Sequence, residues 1–341
     1  MKPWEFGITM AGPTDKFSAE EKQKLKAQRQ PAFVEPMKAR LTENYFDDEA
    51  WLYERKLDGV RFIAGKKSGK VTLYSRNRKL RNKTYPEIVE GLENLEGDFL
   101  VDGEIVAFSG NRSSFSRLQQ RMQVRDPDRE LLRSVPVCAY LFDILFVDGY
   151  DLRKLPLRRR KAILKSAFEF ADPIRYLPHR NREGKAYLAQ ACDKGWEGII
   201  AKDGASVYRS ARSGDWLKFK CQQGQEFVIG GFTRPQGSRV GFGALEVGYY
   251  EGDKLRYAGR VGTGFSDEFL ESFYRRLVQI KRKTSPFDDV SSADEDVTWV
   301  DPRLVAEIGF TEWTDDGKLR HPRFLGLRDD KEAKDVVREA P

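Results

Sequence analysis

The chain has 341 residues, with 60 Lys and Arg against 53 Asp and Glu, a net charge of +7 and an isoelectric point near 9.1. It contains no apolar run near the ~20 residues that a membrane helix needs, and residues 1–15 lack the pattern of a secretory signal. We therefore expect a cytoplasmic protein without a membrane span. Only two histidines occur, which leaves little for a His-rich metal site or a His base.

Cysteine usage and chain length also limit the architecture. The three cysteines, Cys138, Cys192 and Cys221, lie far apart in the sequence, so we expect ordinary reduced thiols rather than a zinc pair or a disulfide framework. A chain of this length usually divides into two domains.

Residues 1–30 predict an N-terminal polar appendage. Ser18-Ala-Glu-Glu21 has the form of a capping box, and the Lys- and Gln-rich residues up to Gln28 favour a short helix with little apolar surface to bury.

From Trp51 onward, short apolar or alternating segments recur between amphipathic ones. This mixture predicts an α+β domain over residues 31–223. Its expected strands are 51–55, 60–64, 70–74, 99–108, 137–147, 198–201 and 216–220, and its expected helices are 85–95, 114–124, 157–170 and 184–194.

The pattern changes after Gly224 to strands that are punctuated by glycines. Strands are expected at 227–232, 244–250, 254–260 and 305–313, with one amphipathic helix at 266–280. Residues 224–341 therefore predict a small five-stranded β-barrel of the OB type.

A strongly basic stretch separates Asp58 from Glu87. No acid occurs between these two residues, whereas nine lysines and arginines do. Such a run is either a solvated basic face or a contact surface for a polyanion, and its position beside a candidate nucleophile favours nucleic acid. The nine residues are Arg61, Lys66, Lys67, Lys70, Arg76, Arg78, Lys79, Arg81 and Lys83.

The sharpest local motif is Lys56-Leu-Asp58-Gly59-Val-Arg61, directly after a predicted strand. A lysine is a nucleophile only without the proton that it holds at a reference pKa near ~10.4, and nearby cations or a metal would depress that value. Asp58 can orient the amine or an ion beside it. Taken alone the motif is weak, because a surface turn has the same composition.

Other segments gain meaning together with this motif. Glu104 and Glu197 follow or open apolar strands, so the two carboxylates can converge on Mg²⁺ or Mn²⁺, although each alone is more often a surface turn residue. Lys218 and Lys220 alternate with apolar residues, which places both ammonium groups on one face of a strand, where they suit a phosphate. Phe142 is either a core residue or a platform for a purine base.

The ordered segments KLDGVR, SRNRK, LVDGEIVAF, YLFDILFVDG, EGIIAK, WLKFK and LRHPRFLGLRDDK resemble the motifs of ATP-dependent DNA ligases. The resemblance covers about residues 31–335, and it is closest to the ligase region of the bacterial end-joining ligase D. It implies a nucleotidyltransferase (adenylation) domain followed by an OB-fold domain. It also implies an enzyme that uses ATP and Mg²⁺ or Mn²⁺ to seal nicks between 3′-hydroxyl and 5′-phosphate ends.

The resemblance also assigns roles to individual residues. It makes Lys56 the adenylated lysine, puts Glu54 at the adenine amino group, and gives Phe142 the stacking role. Glu104 and Glu197 become metal carboxylates. Arg61 and Glu104 are implied near the ribose, the DNA end or the metal. The α-phosphate is implied to contact Lys202, Lys218 and Lys220, and the leaving pyrophosphate to contact Arg320 and Arg323. The implied DNA contacts are Arg76, Arg78 and Lys79.

Because only about thirty residues precede Pro31, we expect no large helical DNA-binding domain and hence modest independent affinity for DNA. A monomeric repair or recombination enzyme at the bacterial nucleoid fits this, with nicked duplex DNA as substrate and a Ku-like end-binding protein as a partner. The alternatives are a capping guanylyltransferase, an RNA ligase and a non-catalytic DNA-binding scaffold. An NAD-dependent ligase is disfavoured, since three scattered cysteines cannot build its four-Cys zinc module.

Overall fold

The structure is a computed structural model that describes Phe17, Leu25 and residues 27–221, 224–290 and 296–339. The predicted polar helix that begins at Ser18 lies outside the described residues except at its end. No helix within these ranges is long and apolar enough to cross a membrane.

Residues 27–221 form two mixed β-sheets with helices packed around them. Sheet I has the strand order β4-β3-β5-β7-β8, with β6 paired to β5 and β9 to β7, and sheet II has the order β1-β12-β11-β2-β10. The strands are β1 (Lys38–Leu41), β2 (Trp51–Arg55), β3 (Val60–Lys67), β4 (Lys70–Ser75), β5 (Phe99–Ser109), β6 (Arg112–Ser113), β7 (Val137–Val147), β8 (Tyr150–Asp151), β9 (Ile174–Tyr176), β10 (His179–Arg180), β11 (Gly198–Asp203) and β12 (Arg212–Lys220).

Five helices lie within the described residues of this part of the chain, and two of them begin at a residue whose side chain caps the helix. The Ser114 side chain accepts a hydrogen bond from the Arg117 backbone N–H, and Asp128 accepts one from Leu131, so each satisfies an otherwise free N–H. The helices are α1 (Pro86–Glu93), α2 (Phe115–Met122), α3 (Arg129–Ser134), α4 (Leu157–Ala167) and α5 (Gly184–Asp193).

Two apolar clusters position the sheets. The larger one packs α1, α2 and α4 on the outer face of sheet I, where β5 and β7 are buried along almost their whole length. A second cluster, which includes Ile63, Leu100, Phe142 and Trp216, lies between sheet I and sheet II. Because this cluster fills the space between the sheets, their facing sides are held at a fixed separation beside it.

Residues 224–339 form a separate five-stranded antiparallel sheet with the order β15-β14-β13-β16-β17. The Phe324 backbone N–H donates to the Thr263 carbonyl at 2.9 Å, which brings the last strand back toward the third. This is the strand order of an OB barrel, with its helix between the third and fourth strands. The elements are β13 (Gly224–Thr233), β14 (Leu245–Glu251), β15 (Lys254–Val261), α6 (Asp267–Val278), β16 (Val297–Gly309) and β17 (Arg323–Leu327).

The sequence prediction of the major elements is confirmed, with ends shifted by one to a few residues. It missed the strands β1 and β17 and the two- or three-residue strands β6, β8, β9 and β10, and it started β16 eight residues late. The helix α3 was also missed, since it is short and has no buried residue to give it an apolar period.

The expectation of reduced, unpaired thiols is wrong for two of the three cysteines. Cys192 at the end of α5 and Cys221 after β12 form a disulfide, with their Cα atoms 5.3 Å apart, and only Cys138 is free and buried. The sequence separation of 29 hid the pair, because α5 returns the chain to the end of β12.

Candidate active site

Strand register gathers most of the predicted site residues on one face of sheet II. Glu54 in β2 lies opposite Ile200 in β11, which lies opposite Lys218 in β12. Residues two positions along each strand share that face, so Lys202, Trp216 and Lys220 join them. All of them line a cavity of about 860 Å³ between the sheets and the barrel.

Lys56 lies immediately after β2 and forms an ion pair with Glu197, which immediately precedes β11. The Lys56 backbone N–H donates to the Gly198 carbonyl at 3.0 Å, so the two motifs are tied together through the backbone as well. Desolvation in the cavity lowers the pKa of Lys56, but the Glu197 carboxylate outweighs it, and the pKa is raised above its ordinary value. The expectation of a depressed pKa is therefore wrong for this state.

Glu54 marks the inner end of the cavity. It is 1% exposed and accepts from two lysines, Lys161 on α4 and Lys202 at 2.6 Å. The Lys202 ammonium also lies 4.2 Å from the Phe142 ring centre and 4.0 Å from that of Trp216. The structure therefore brings Lys202 to Glu54 and the aromatic rings, and not to the Lys218–Lys220 pair.

Arg61 and Glu104 face each other across β3 and β5 on the opposite wall. The Arg61 guanidinium donates to both oxygens of buried Asp102, at 2.9 and 2.6 Å, and Tyr208 donates to the same carboxylate at 2.6 Å. The guanidinium also lies 5.3 Å from the Phe142 ring centre. Arg61 is thus fixed in direction, with its planar face against an aromatic ring of the cavity.

Several carboxylates around Lys56 have incomplete charge compensation. Burial raises the pKa of Glu104 to about 7 and that of Asp58 to about 6, and the pKa of Glu307 from β16 is also raised to about 7 by burial. Oxygen donors of this kind suit Mg²⁺ or Mn²⁺, and a dication would compensate them. The described residues contain no group of three or more acids, histidines or cysteines arranged as a metal site.

The barrel contributes basic residues that the sequence analysis missed. Arg328 lies 4.7 Å from the Phe115 ring centre and pairs with Glu307 at 3.2 Å and Asp330 at 2.9 Å, all within the cavity wall. Lys331 pairs with Glu226 at 2.5 Å. Both belong to the quoted segment LRHPRFLGLRDDK, whose last four residues were the signal that could have found them.

Of the two arginines proposed for this segment, the structure brings only one to the cavity. Arg323 is part of its lining. Arg320 points away and pairs with Glu312 at 2.9 Å, with both side chains more than half exposed. Arg320 lies in a turn before β17, and its backbone is hydrogen-bonded to Thr311 and Glu312, so its side chain is directed toward Glu312 and not toward the cavity.

Glu339 occupies the mouth of the lysine pair. Its carboxylate accepts from Lys218 and lies 3.5 Å from the Lys220 ammonium, while its backbone N–H donates to Gln225 at 3.0 Å. Although burial acts in the opposite direction, the two lysines hold the pKa of Glu339 at about 2, and burial lowers the pKa of Lys218 to about 8. Lys218 and Lys220 do share one face, as predicted, and an anion is seated on them.

The three predicted DNA contacts are spread along one loop after β4. Arg76 lines the cavity, Arg78 lies 5.8 Å from the Phe33 ring centre, and Lys79 pairs with Glu332 of the C-terminal segment at 2.9 Å. The Lys79 and Glu332 side chains are each about half exposed, so this pair is accessible to a competing phosphate.

Comparison with known proteins identifies this chain's family. Residues 33–220 match the model of the ATP dependent DNA ligase domain, and residues 238–331 match that of the ATP dependent DNA ligase C terminal region. The chain is thus a nucleotidyltransferase with a C-terminal OB-fold domain. It belongs to the ATP-dependent DNA ligase family, whose members use ATP and a divalent metal ion.

Similar individual proteins agree with this family. The multifunctional non-homologous end joining protein LigD of Pseudomonas aeruginosa is 37% identical over 91% of this chain and 37% of its own. The DNA ligase of Saccharolobus shibatae is 32% identical over 84% of this chain and 53% of its own. The chain therefore spans about half or less of these relatives. A structure of mycobacterial DNA ligase D complexed with ATP and MES is 32% identical, covers 90% and 98% of the two chains, and has a TM-score of 0.64.

We predict that Glu339→Gln strengthens the binding of inorganic phosphate about tenfold, equivalent to ~1.4 kcal/mol, because the lysine pair loses its resident anion. Calorimetry at about pH 6.5, where Lys218 keeps its proton, measures the dissociation constant. Glu251→Gln is the control, since Glu251 pairs with Arg256 on the far side of the barrel. Unchanged affinity in Glu339→Gln would show that the carboxylate does not compete with phosphate.

Proposed function

We propose that this chain is an ATP-dependent DNA ligase that seals nicks between 3′-hydroxyl and 5′-phosphate ends, in DNA repair or end joining. One observation carries the proposal. A single cavity brings together Lys56, the Lys218–Lys220 pair and the barrel residues Arg328 and Lys331. A lysine nucleophile surrounded by cations from two directions suits transfer of a nucleotidyl group from a triphosphate.

Within this proposal Lys56 attacks the α-phosphate of ATP, pyrophosphate leaves, and the AMP passes from Lys56 to the 5′ phosphate of the nick before the 3′ hydroxyl displaces it. Phe142 stacks on the adenine and Glu54 accepts from its amino group, while Arg61 and Glu104 lie at the ribose. Lys218 and Lys220 bind the α-phosphate. We assign the pyrophosphate to Arg323, Arg328 and Lys331, because Arg320 lies outside the cavity.

Lys56 must lose its proton before it can attack, and Glu197 opposes this as long as it is the only partner of the amine. We propose that Glu197 and Glu104 hold the divalent metal ion, which supplies positive charge that neutralises the carboxylates and the phosphate oxygens. With Glu197 engaged by the metal ion, the amine would lose its counter-charge while its burial remained, so the pKa of Lys56 would fall.

The barrel has to move during this cycle. Arg328, Lys331 and Glu339 cover the cavity in the described state, so a duplex cannot reach Lys56 from that side. We propose that the chain consists of an appendage of residues 1–30, an adenylation unit of residues 31–223 and an OB unit of residues 224–341. The adenylation unit and the OB unit move apart about the chain near residue 221. We assign Lys202 to Glu54 rather than to the α-phosphate, because the two form an ion pair at 2.6 Å.

We further propose that Arg76, Arg78 and Lys79 bind the DNA backbone, and that the enzyme acts as a cytoplasmic monomer at the nucleoid. A Ku-like end-binding protein is its proposed partner. The likeness to ligases named for non-homologous end joining supports this pathway.

The sealing of a labelled nicked duplex with ATP and Mg²⁺ tests the proposed activity. Wild type is expected to join the strands, and Lys56→Ala is expected to lose joining by at least about a thousandfold, because no other amine replaces it. Lys165→Ala, on the exposed side of α4, should join like wild type. Preference for single-stranded RNA, transfer of GMP to triphosphate-ended RNA, or joining by Lys56→Ala at the wild-type rate would contradict the proposal.

Salt dependence tests the DNA-binding loop. If Arg76 contacts a backbone phosphate, Arg76→Ala should weaken nick binding and lower the slope of log affinity against log salt by about one. Fluorescence anisotropy with a nicked duplex over a salt series measures both. Arg182→Ala, whose exposed side chain pairs with Glu49, is the matched control. An unchanged slope in Arg76→Ala would indicate that this loop is a solvated basic face that does not contact DNA.

A further inference from the structure

Lys161 is a fully buried lysine to which the proposed reaction gives no role. It projects from the second turn of α4, and its side chain is 0% exposed. Its ammonium donates to the Glu54 carboxylate, to the Leu177 carbonyl at 3.1 Å and to the Phe142 carbonyl at 3.4 Å. An ammonium has three donors, and each of them has an acceptor here, so Lys161 cannot turn to any other partner.

All three of those acceptors belong to the wall of the cavity. Phe142, Leu177 and Glu54 line it, and Glu54 also pairs with Lys202 at 2.6 Å. Lys161 therefore links the carboxylate of Glu54 to the backbone on either side of the aromatic platform. Its removal would leave Glu54 with one lysine and no connection to this backbone.

We propose that Lys161 is a positioning residue for nucleobase selection, which holds Glu54 as a fixed hydrogen-bond acceptor so that the cavity takes a 6-amino purine in preference to a 6-oxo purine. An ionised carboxylate only accepts, which suits the donating 6-amino group of adenine and opposes the accepting 6-oxo group of guanine. The inference rests on the proposed function in one respect, that the cavity takes a purine nucleotide.

Position matters as much as charge. Guanine also carries an N1–H and a 2-amino group, which a carboxylate can bind if it shifts to meet that edge. The anchoring of Lys161 to two backbone carbonyls prevents this shift of Glu54. Lys161 thus prevents Glu54 from binding the guanine of GTP. The preference for ATP then arises because the competing nucleotide is excluded.

Equilibrium binding of the α,β-methylene analogues of ATP and GTP tests the inference, because these analogues cannot transfer a nucleotide. We expect wild type to prefer the ATP analogue, and Lys161→Met to lose about tenfold of that preference, a change of ~1.4 kcal/mol. The exposed Lys165→Met, one turn further along α4, is the control and should keep it. Lys161→Gln retains a donor for Glu54, so an intermediate preference is expected, and it replaces Lys161→Met if that variant does not fold.

The pH dependence of the preference separates positioning from a structural role. Glu54 faces Lys161, Lys202, His179, Tyr176 and Tyr187 from five elements. Burial lowers the pKa of His179 to about 4, so the ring stays neutral from about pH 6 to 8. Without Lys161 the pKa of Glu54 rises, so as the pH is lowered the ATP preference of Lys161→Met should decline at a higher pH than that of wild type.

A folded Lys161→Met or Lys161→Gln variant with the full wild-type preference would overturn the inference, as would a wild type without preference. If the nick-sealing assay fails while the nucleotide preference and its dependence on Lys161 persist, the proposed function is wrong and this inference stands.

Discussion

The ion pair between Lys56 and Glu197 is the interaction on which this site depends. It places an amine at the centre of the cavity and at the same time keeps the proton on that amine. Reactivity therefore has to be released by whatever draws Glu197 away. If Lys56 is the nucleophile that we propose, this ion pair keeps it as an unreactive ammonium ion until Glu197 is engaged elsewhere.

The same requirement for charge compensation explains how the barrel closes. Glu226 and Glu307 are partly buried against Arg328 and Lys331, and buried Glu339 pairs with the partly buried Lys218 and Lys220. Buried charges are costly unless they are paired, so the closed state is stable only while these pairs are complete. A nucleotide that takes over the lysines, or a duplex that takes over the arginines, would exchange one set of partners for another. Charge exchange is therefore a physical basis for alternation between closed and open states.

The sequence was sufficient for the parts of the site that lie within single strands. Local sequence patterns are present in the motif around Lys56, in the alternation of Lys218 and Lys220 and in the apolar run around Phe142. A strand fixes which way each of these side chains points. It was insufficient where segments meet only after folding. Three features depend on how helix, strand and barrel pack together, and no spacing in the sequence predicts them. They are the disulfide of Cys192, the contact of Glu339 with the lysine pair, and the presence of Arg328 but not Arg320 in the cavity lining.

Mass spectrometry of the protein after incubation with ATP and Mg²⁺ tests the central claim most directly. The account predicts an increase in mass by one AMP, and peptide mapping should place the adduct on Lys56. The adduct should disappear in Lys56→Ala and persist in Lys165→Ala. A nucleotide on any other residue, or no adduct on a folded protein that binds ATP, would contradict the assignment of Lys56 as the nucleophile.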